Sequence, residues 1–308
     1  MRLLKWLLIA VALLIVVPPL WYKVFPEAPS ALPAPGTAIA VVGAQTLNVL
    51  DQGNGPVVVL VHGLPGTAYD WRVLAPLLNQ AGFRTLAYDR VGYGHSEARN
   101  DSTFGVQANS DELRSLLAAV DVADATVVGW SYGGAITMQS ASDSRIRRMV
   151  LVGSAGPSSA DEVPPEPPVA MRVLYSKPVL AWRSAVPPVS RALQAALSSQ
   201  AFSGGAQPDW WLPDLASNFS RWDTVLSFRN EILAPIDPAG FNPAGITQPT
   251  LIVHGDDDRL APVAIGRYLA EVIPDARYQE LAGVSHMLPV THAEQLASAI
   301  VDFVAATP

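Results

Sequence analysis

From residue 37 onward, short apolar runs alternate with longer stretches in which apolar residues recur every three or four positions. Residues 39–42 and 46–50 read as a first pair of strands, and 57–61 (VVVLV) is an unbroken apolar run, as expected of a strand buried on both faces. A helical pattern follows over 71–80 (Trp71, Leu74, Leu77, Leu78), then a strand at 84–88. Residues 111–120 place Leu113, Leu116, Leu117 and Val120 on one helical face. The alternation continues with a strand at 125–129, a helix at 132–141 and a strand at 149–152. It resumes with a strand at 250–254, a helix at 264–272, a strand at 277–281 and a helix at 292–304. Strands and helices in strict alternation predict an α/β fold, with a mostly parallel central sheet and helices on both faces.

The pattern breaks twice. Between Gly156 and Gly245 the alternation stops in a stretch dense in proline and aromatics, including Trp182, Trp210, Trp211, Phe219, Trp222 and Phe228. Helical patches at 191–197 and 222–232 lie inside it. A structureless loop of that length does not suit a compact domain. Residues 157–245 are therefore expected to form a mainly helical cap inserted between two parts of a core, 37–156 and 246–308.

The other break is at the start. Arg2 and Lys5 precede a nearly uncharged run from Trp6 to Tyr22, with Pro18 and Pro19 near its end. It is slightly short of the about 20 apolar residues a spanning helix needs, but Trp6, Trp21 and Tyr22 suit interfacial anchors. The expectation is a signal-anchor over 1–24, a membrane partner, and a catalytic domain on the periplasmic or extracytoplasmic side. Secretion after signal-peptide cleavage is the alternative. Residues 25–36, with four prolines (Pro26, Pro29, Pro33, Pro35), read as a stiff linker.

Composition narrows the chemistry. The 308 residues carry 20 Lys+Arg against 27 Asp+Glu, a formal charge of −7, which leaves no basic footprint for nucleic acid. With no cysteine there is neither a thiolate nucleophile nor a Cys-ligated zinc.

Four strand-ending turns carry candidate chemistry. Gly129-Trp130-Ser131-Tyr132-Gly133 follows a strand and opens a helix. A nucleophilic serine there projects from a sharp, strained turn, and the flanking glycines make room for it. The helix N-terminus behind it favours developing negative charge. His62-Gly63-Leu64-Pro65-Gly66 ends the buried strand, where a backbone N–H can join that of Tyr132 in an oxyanion hole. In His254-Gly255-Asp256-Asp257-Asp258, a carboxylate can orient a histidine. The run lacks the spaced ligands and terminal Glu of an EF-hand loop, so no metal is expected. His286, in the Gly-bearing turn Gly283-Val284-Ser285-His286, is placed to be a general base.

The order Ser, Asp, His, each on such a turn, resembles the α/β-hydrolase fold superfamily, in its capped serine-nucleophile esterase and aminopeptidase-like branch, over residues 37–304. Asp89-Arg90-Val91-Gly92-Tyr93-Gly94-His95-Ser96 is similar to that superfamily's D-x-x-G-x-G-x-S turn. The resemblance implies Ser131 as nucleophile, His286 as base, and the N–H groups of Leu64 and Tyr132 as oxyanion donors. Its G-x-x-D-x-x-x-P pattern from Gly255 implies Asp258 as the acid, with Asp256 in reserve and Asp257 third. It implies no cofactor. Haloalkane dehalogenases and epoxide hydrolases of this type attack with aspartate, whereas position 131 is serine.

The expected activity is hydrolysis of carboxylic esters of small to medium apolar acyl groups through an acyl-enzyme. Trp71, Trp130, Trp182 and Trp222 are candidate walls of an apolar pocket. The alternatives are a proline-iminopeptidase-like aminopeptidase, with Glu231 or Asp223 holding the amino terminus, a C–C or lactone hydrolase, or a non-catalytic binding protein. His62 and His254 are expected to bond backbone, His95 and His292 to be structural, and Asp89 to order its own turn.

Overall fold

The computed structural model describes residues 2–24, 36–40, 45–99, 104–159, 167–234 and 242–307. Eight strands form one sheet: β1 (Thr37–Ala40), β2 (Thr46–Gly53), β3 (Val57–Val61), β4 (Arg84–Tyr88), β5 (Ala125–Trp130), β6 (Ile146–Val152), β7 (Thr250–Gly255) and β8 (Ala276–Leu281). Their order is β1-β2-β4-β3-β5-β6-β7-β8. β2 runs antiparallel to β1 and β4, and every later pairing is parallel. The apolar runs of β3, β5 and β7 occupy the sheet's interior and are buried almost throughout, because helices cover both faces.

Alternation along each strand divides the core in two. Val58, Leu60 and Val128 pack with Leu74 and Leu78 of α2 (Leu74–Gln80) and with Leu296 and Ile300 of α12 (Ala293–Ala305). Val59, Val61 and Val127 face α3 (Val106–Ala119), α4 (Tyr132–Gln139) and α10 (Val263–Val272). α3 begins five residues before the predicted start, since Val106 and Asn109 are buried as well as the leucine face. The predicted 71–80 helix is instead a 3-10 turn, Ala68–Trp71, followed by α2. The first strand is Thr37–Ala40; the remainder of the predicted 39–42 run lies outside the described residues.

Between β6 and β7 come α5 (Val169–Leu174), α6 (Lys177–Ser184), α7 (Pro187–Ala201), α8 (Trp211–Asn218) and α9 (Trp222–Leu233). They carry a small core of their own around Tyr175, Leu180, Val225 and Phe228, into which Tyr93 of the β4–α3 connection inserts. A short α11 (Leu288–Thr291) precedes α12.

The N-terminal expectation needs correction. Residues Arg2–Val24 do form a helix, α1, but with Pro18 and Pro19 inside it. Proline has no N–H, so the carbonyl of Ile15, whose partner four residues on would be Pro19, is left without its helical bond. Trp182 Nε1 of α6 donates to that carbonyl at 2.7 Å, bringing α1 against the insertion. The apolar stretch ahead of Pro18 rises only about 18 Å at ~1.5 Å per residue, against a hydrocarbon thickness of ~30 Å. Among the described residues no helix is long and apolar enough to cross a membrane. The single-pass anchor, the membrane partner and the localisation that rested on that anchor are accordingly not upheld. Residues 25–35 of the expected linker lie outside the described residues.

Candidate active site

β5 ends at Trp130 and α4 starts at Tyr132, leaving Ser131 alone to make the reversal. Its backbone sits at φ 55° and ψ −122°, a region L-residues rarely occupy. Neighbouring bonds hold it there: Ser131 N–H donates to Val152 O at 3.0 Å, and its carbonyl accepts from Gly134 and Ala155, both at 2.9 Å. Such strain persists only where the surroundings over-determine it. Gly133 lets α4 close onto β3, since a β-carbon there would stand 2.1 Å from Val61 O. Opposite, a β-carbon on Gly63 would stand 2.9 Å from Ser131 Cβ, so the turn after β3 lies against the serine. The backbone N–H groups of Leu64 and Tyr132 donate to no backbone acceptor among the described residues.

His286 and Asp258, the candidate base and acid, arrive from the other two turns. His286 Nδ1 lies 2.7 Å from Asp258 Oδ2, with both side chains nearly fully buried. Asp258 Oδ1 accepts from the N–H groups of Leu260 (2.9 Å) and Ala261 (2.8 Å). His254 Nε2 stands 3.5 Å from the same carboxylate and 2.8 Å from Ala261 O. Burial alone would raise the Asp258 pKa; the hydrogen bonds from His254 and His286 outweigh it and hold the carboxyl well below the usual carboxylate range. Asp256 is exposed and accepts from Gly283 N–H at 2.6 Å, while Asp257 lies 3.3 Å from Arg259. Of the three neighbouring aspartates, the structure brings Asp258 to the histidine. The ionised acid stabilises an imidazolium and keeps the His286 proton on Nδ1, freeing Nε2 to accept one.

The residues expected to be structural are tied in as well. Asp89 accepts from Ala68 N–H (2.7 Å), His95 N–H (2.8 Å) and Asn48 Nδ2 (2.8 Å), tying its own turn to the 3-10 turn. His292 caps α12 and lies 2.9 Å from Thr291 Oγ1.

A cavity of about 200 Å³ reaches Trp130 and His286. Leu64, Pro65 and Met287 line it from the core, and Tyr175, Trp211, Phe219 and Phe228 from the insertion. Of the four predicted tryptophan walls, Trp130 is among the lining residues and the other three are not. Trp71 is fully buried beneath Trp130, their ring centroids 6.3 Å apart, because it closes the core at the end of the 3-10 turn. Trp182 turns outward to α1, and Trp222 is 41% exposed at the start of α9.

Sequence reasoning missed two charged lining residues, Asp70 and Arg183. Burial pushes the Asp70 carboxyl up to about 7, against the bond it accepts from Thr67 N–H. Arg183 Nε and Nη1 are buried without a hydrogen-bond partner among the described residues. Neither acid suggested for an amino-terminus anchor lines the cavity: Glu231 is buried against Arg90 at 2.8 Å, and Asp223 is exposed.

Residues 56–293 match the family model described as alpha/beta hydrolase fold. A 2-hydroxy-6-oxononadienedioate/2-hydroxy-6-oxononatrienedioate hydrolase of Paraburkholderia xenovorans (strain LB400) is 28% identical over 278 residues, covering 85% of this chain and 92% of that protein. Among solved structures, an esterase from Exiguobacterium antarcticum superposes with a TM-score of 0.72 at 21% identity, covering 88% of this chain and 99% of its own. The enol-lactonase of Burkholderia xenovorans LB400 superposes with a TM-score of 0.70 at 27% identity, covering 87% and 100%.

Proposed function

The chain belongs to the α/β-hydrolase fold family, and on that premise we propose that it is a serine hydrolase cleaving carboxylic esters of small to medium apolar acyl groups. The observation that carries this is the strained Ser131 turn, whose neighbour Trp130 donates to the His286 carbonyl, beside a buried His286–Asp258 pair of 2.7 Å. Ser131 Oγ gives its proton to His286 Nε2 and attacks the acyl carbonyl, and the oxyanion forms against the N–H groups of Leu64 and Tyr132. His286 returns the proton to the leaving alcohol, then takes one from water, whose oxygen attacks the acyl-enzyme; His286 gives that proton back to Ser131 Oγ as the acid is released. The helices α5–α9 act as the cap over this centre, and their aromatics select apolar acyl chains.

A second reading, hydrolysis of a carbon–carbon bond beside a ketone in a carboxylated substrate, is favoured by one observation. Arg183 lines the cavity without a carboxylate partner among the described residues, and the Paraburkholderia relative is named for a dioate. Turnover of p-nitrophenyl esters from acetate to palmitate, beside an unsaturated oxo-dicarboxylate and with Ser131→Ala as control, separates the two. Ester hydrolysis peaking at short or medium chains supports the first reading. Cleavage of the oxo-acid with silent esters replaces it with the second.

A further inference from the structure

The carbonyl of Gly63 is held by three donors. Gly66 N–H lies 3.1 Å from it, His62 Nδ1 2.9 Å and Arg90 Nη2 3.1 Å. His62 Nε2 accepts from Arg90 N–H at 3.1 Å, so its proton sits on Nδ1 and points to the carbonyl. Burial, followed by the charge of Arg90, pushes the His62 pKa well down and keeps that ring neutral. The Gly63–Leu64 peptide is not one of the cis bonds, and a trans peptide is a near-planar unit, so gripping its oxygen on one side sets where the Leu64 N–H points on the other. That N–H is the proposed oxyanion donor.

Arg90 is itself held from the insertion. Its Nη1 lies 2.8 and 2.9 Å from the two carboxylate oxygens of Glu231 on α9, with side-chain exposures of 0% and 1%. Tyr93 Oη donates to Glu231 Oε2 at 2.7 Å, and Asn109 Nδ2 to Oε1 at 2.6 Å. A buried charge pair is a poor source of stability compared with apolar packing, but it fixes geometry. Here it forms one unbroken line from α9, through a guanidinium, to the peptide that faces Ser131.

We propose that Arg90 and Glu231 are positioning residues of the oxyanion hole, coupling the seating of the insertion to the direction of the Leu64 N–H. This rests on the serine-hydrolase reading. With α9 seated, the guanidinium holds the Gly63 carbonyl and the N–H points at the site where the oxyanion forms. With α9 displaced, Arg90 loses Glu231 and keeps only Asn109 Oδ1, at 3.2 Å, to hold its guanidinium against the Gly63 carbonyl.

The test uses the full chain and two variants, Arg90→Lys and Glu231→Gln, with Tyr93→Phe as a milder third should either of the first fail to fold. Rates are normalised to active sites titrated with a fluorophosphonate, so that lost folded protein does not count. Arg90→Lys and Glu231→Gln are expected to lower kcat on a p-nitrophenyl ester about 10–100-fold with little change in KM. They are expected to weaken a trifluoromethyl ketone, which places an oxyanion in the hole, by the same factor. Tyr93→Phe follows in the same direction by about threefold to tenfold. Lower thermal stability with unchanged kcat per site and unchanged ketone affinity would overturn the proposal, as would a rise in KM alone. A wild-type chain that takes neither fluorophosphonate nor ketone overturns the serine reading and this proposal with it.

Discussion

The indole of Trp130 donates to the main-chain carbonyl of His286 at 2.9 Å, and the two rings lie 5.6 Å apart. The residue next to Ser131 thus anchors the turn that carries His286, across 156 positions of sequence. The ends of two strands are registered by one hydrogen bond.

Trp130→Phe keeps a ring but removes that N–H and leaves the buried His286 carbonyl unpaired. The expected cost is about 1–3 kcal/mol of stability. We also expect a fall in kcat of about tenfold as the base loses its register. Thermal unfolding and steady-state kinetics on one ester check both. A variant that loses stability but keeps kcat would mean that the turn positions His286 without the indole.

The two candidate acids separate by substitution. Asp258→Asn removes the charge facing His286 and is expected to lower kcat by about 10³–10⁴. Asp256→Asn, at an exposed bond to Gly283, is expected to change it less than tenfold. The reverse ranking in side-by-side kinetics would move the acid's role to Asp256.

Asp70 gives a pH signature of opposite sign to that of Asp258. Its ordinary value is 3.8 and burial lifts it to about 7, so the folded chain keeps a proton there that the unfolded chain releases. The stabilising contribution is complete below about pH 3.8 and is lost as pH rises through about 7. The depressed Asp258 instead contributes above its unfolded value and loses its contribution as pH falls through its folded one. Asp70→Asn, neutral at every pH, is therefore expected to match wild type near pH 4 and exceed it at pH 8, by on the order of 3 kcal/mol. Denaturant midpoints at the two pH values measure this. Parallel curves for the two proteins would show that Asp70 ionises freely in the fold.

What the sequence revealed and what it hid follow from how locally each feature is encoded. Apolar runs mark the interior strands β3, β5 and β7, so the fold was readable, and the turns that carry Ser131, Asp258 and His286 hold their own glycines, which made those residues local candidates. The start of α3 was not readable, because the buried residues of its first turns include the polar Asn109 and Ser110, which a pattern of apolar positions does not register. The Arg90–Glu231 pair joins residues 141 positions apart, one in the turn after β4 and the other on α9, and no local signal links them. Trp182 and Trp222 misled for a related reason. Aromatic content implies an apolar pocket somewhere, but only tertiary packing decides which rings face it. At the N-terminus, hydropathy marked the helix, while the consequence of Pro19 for the Ile15 carbonyl depended on Trp182 being there to accept the role of donor.

The central claim is that Ser131 is a nucleophile activated by His286. It is tested most directly by incubating the full chain with a fluorophosphonate and locating the added mass by peptide mass spectrometry. The account predicts one label per chain on Ser131, absent in Ser131→Ala and slowed by orders of magnitude in His286→Ala. A label elsewhere, or labelling of Ser131 at an undiminished rate without His286, would contradict it.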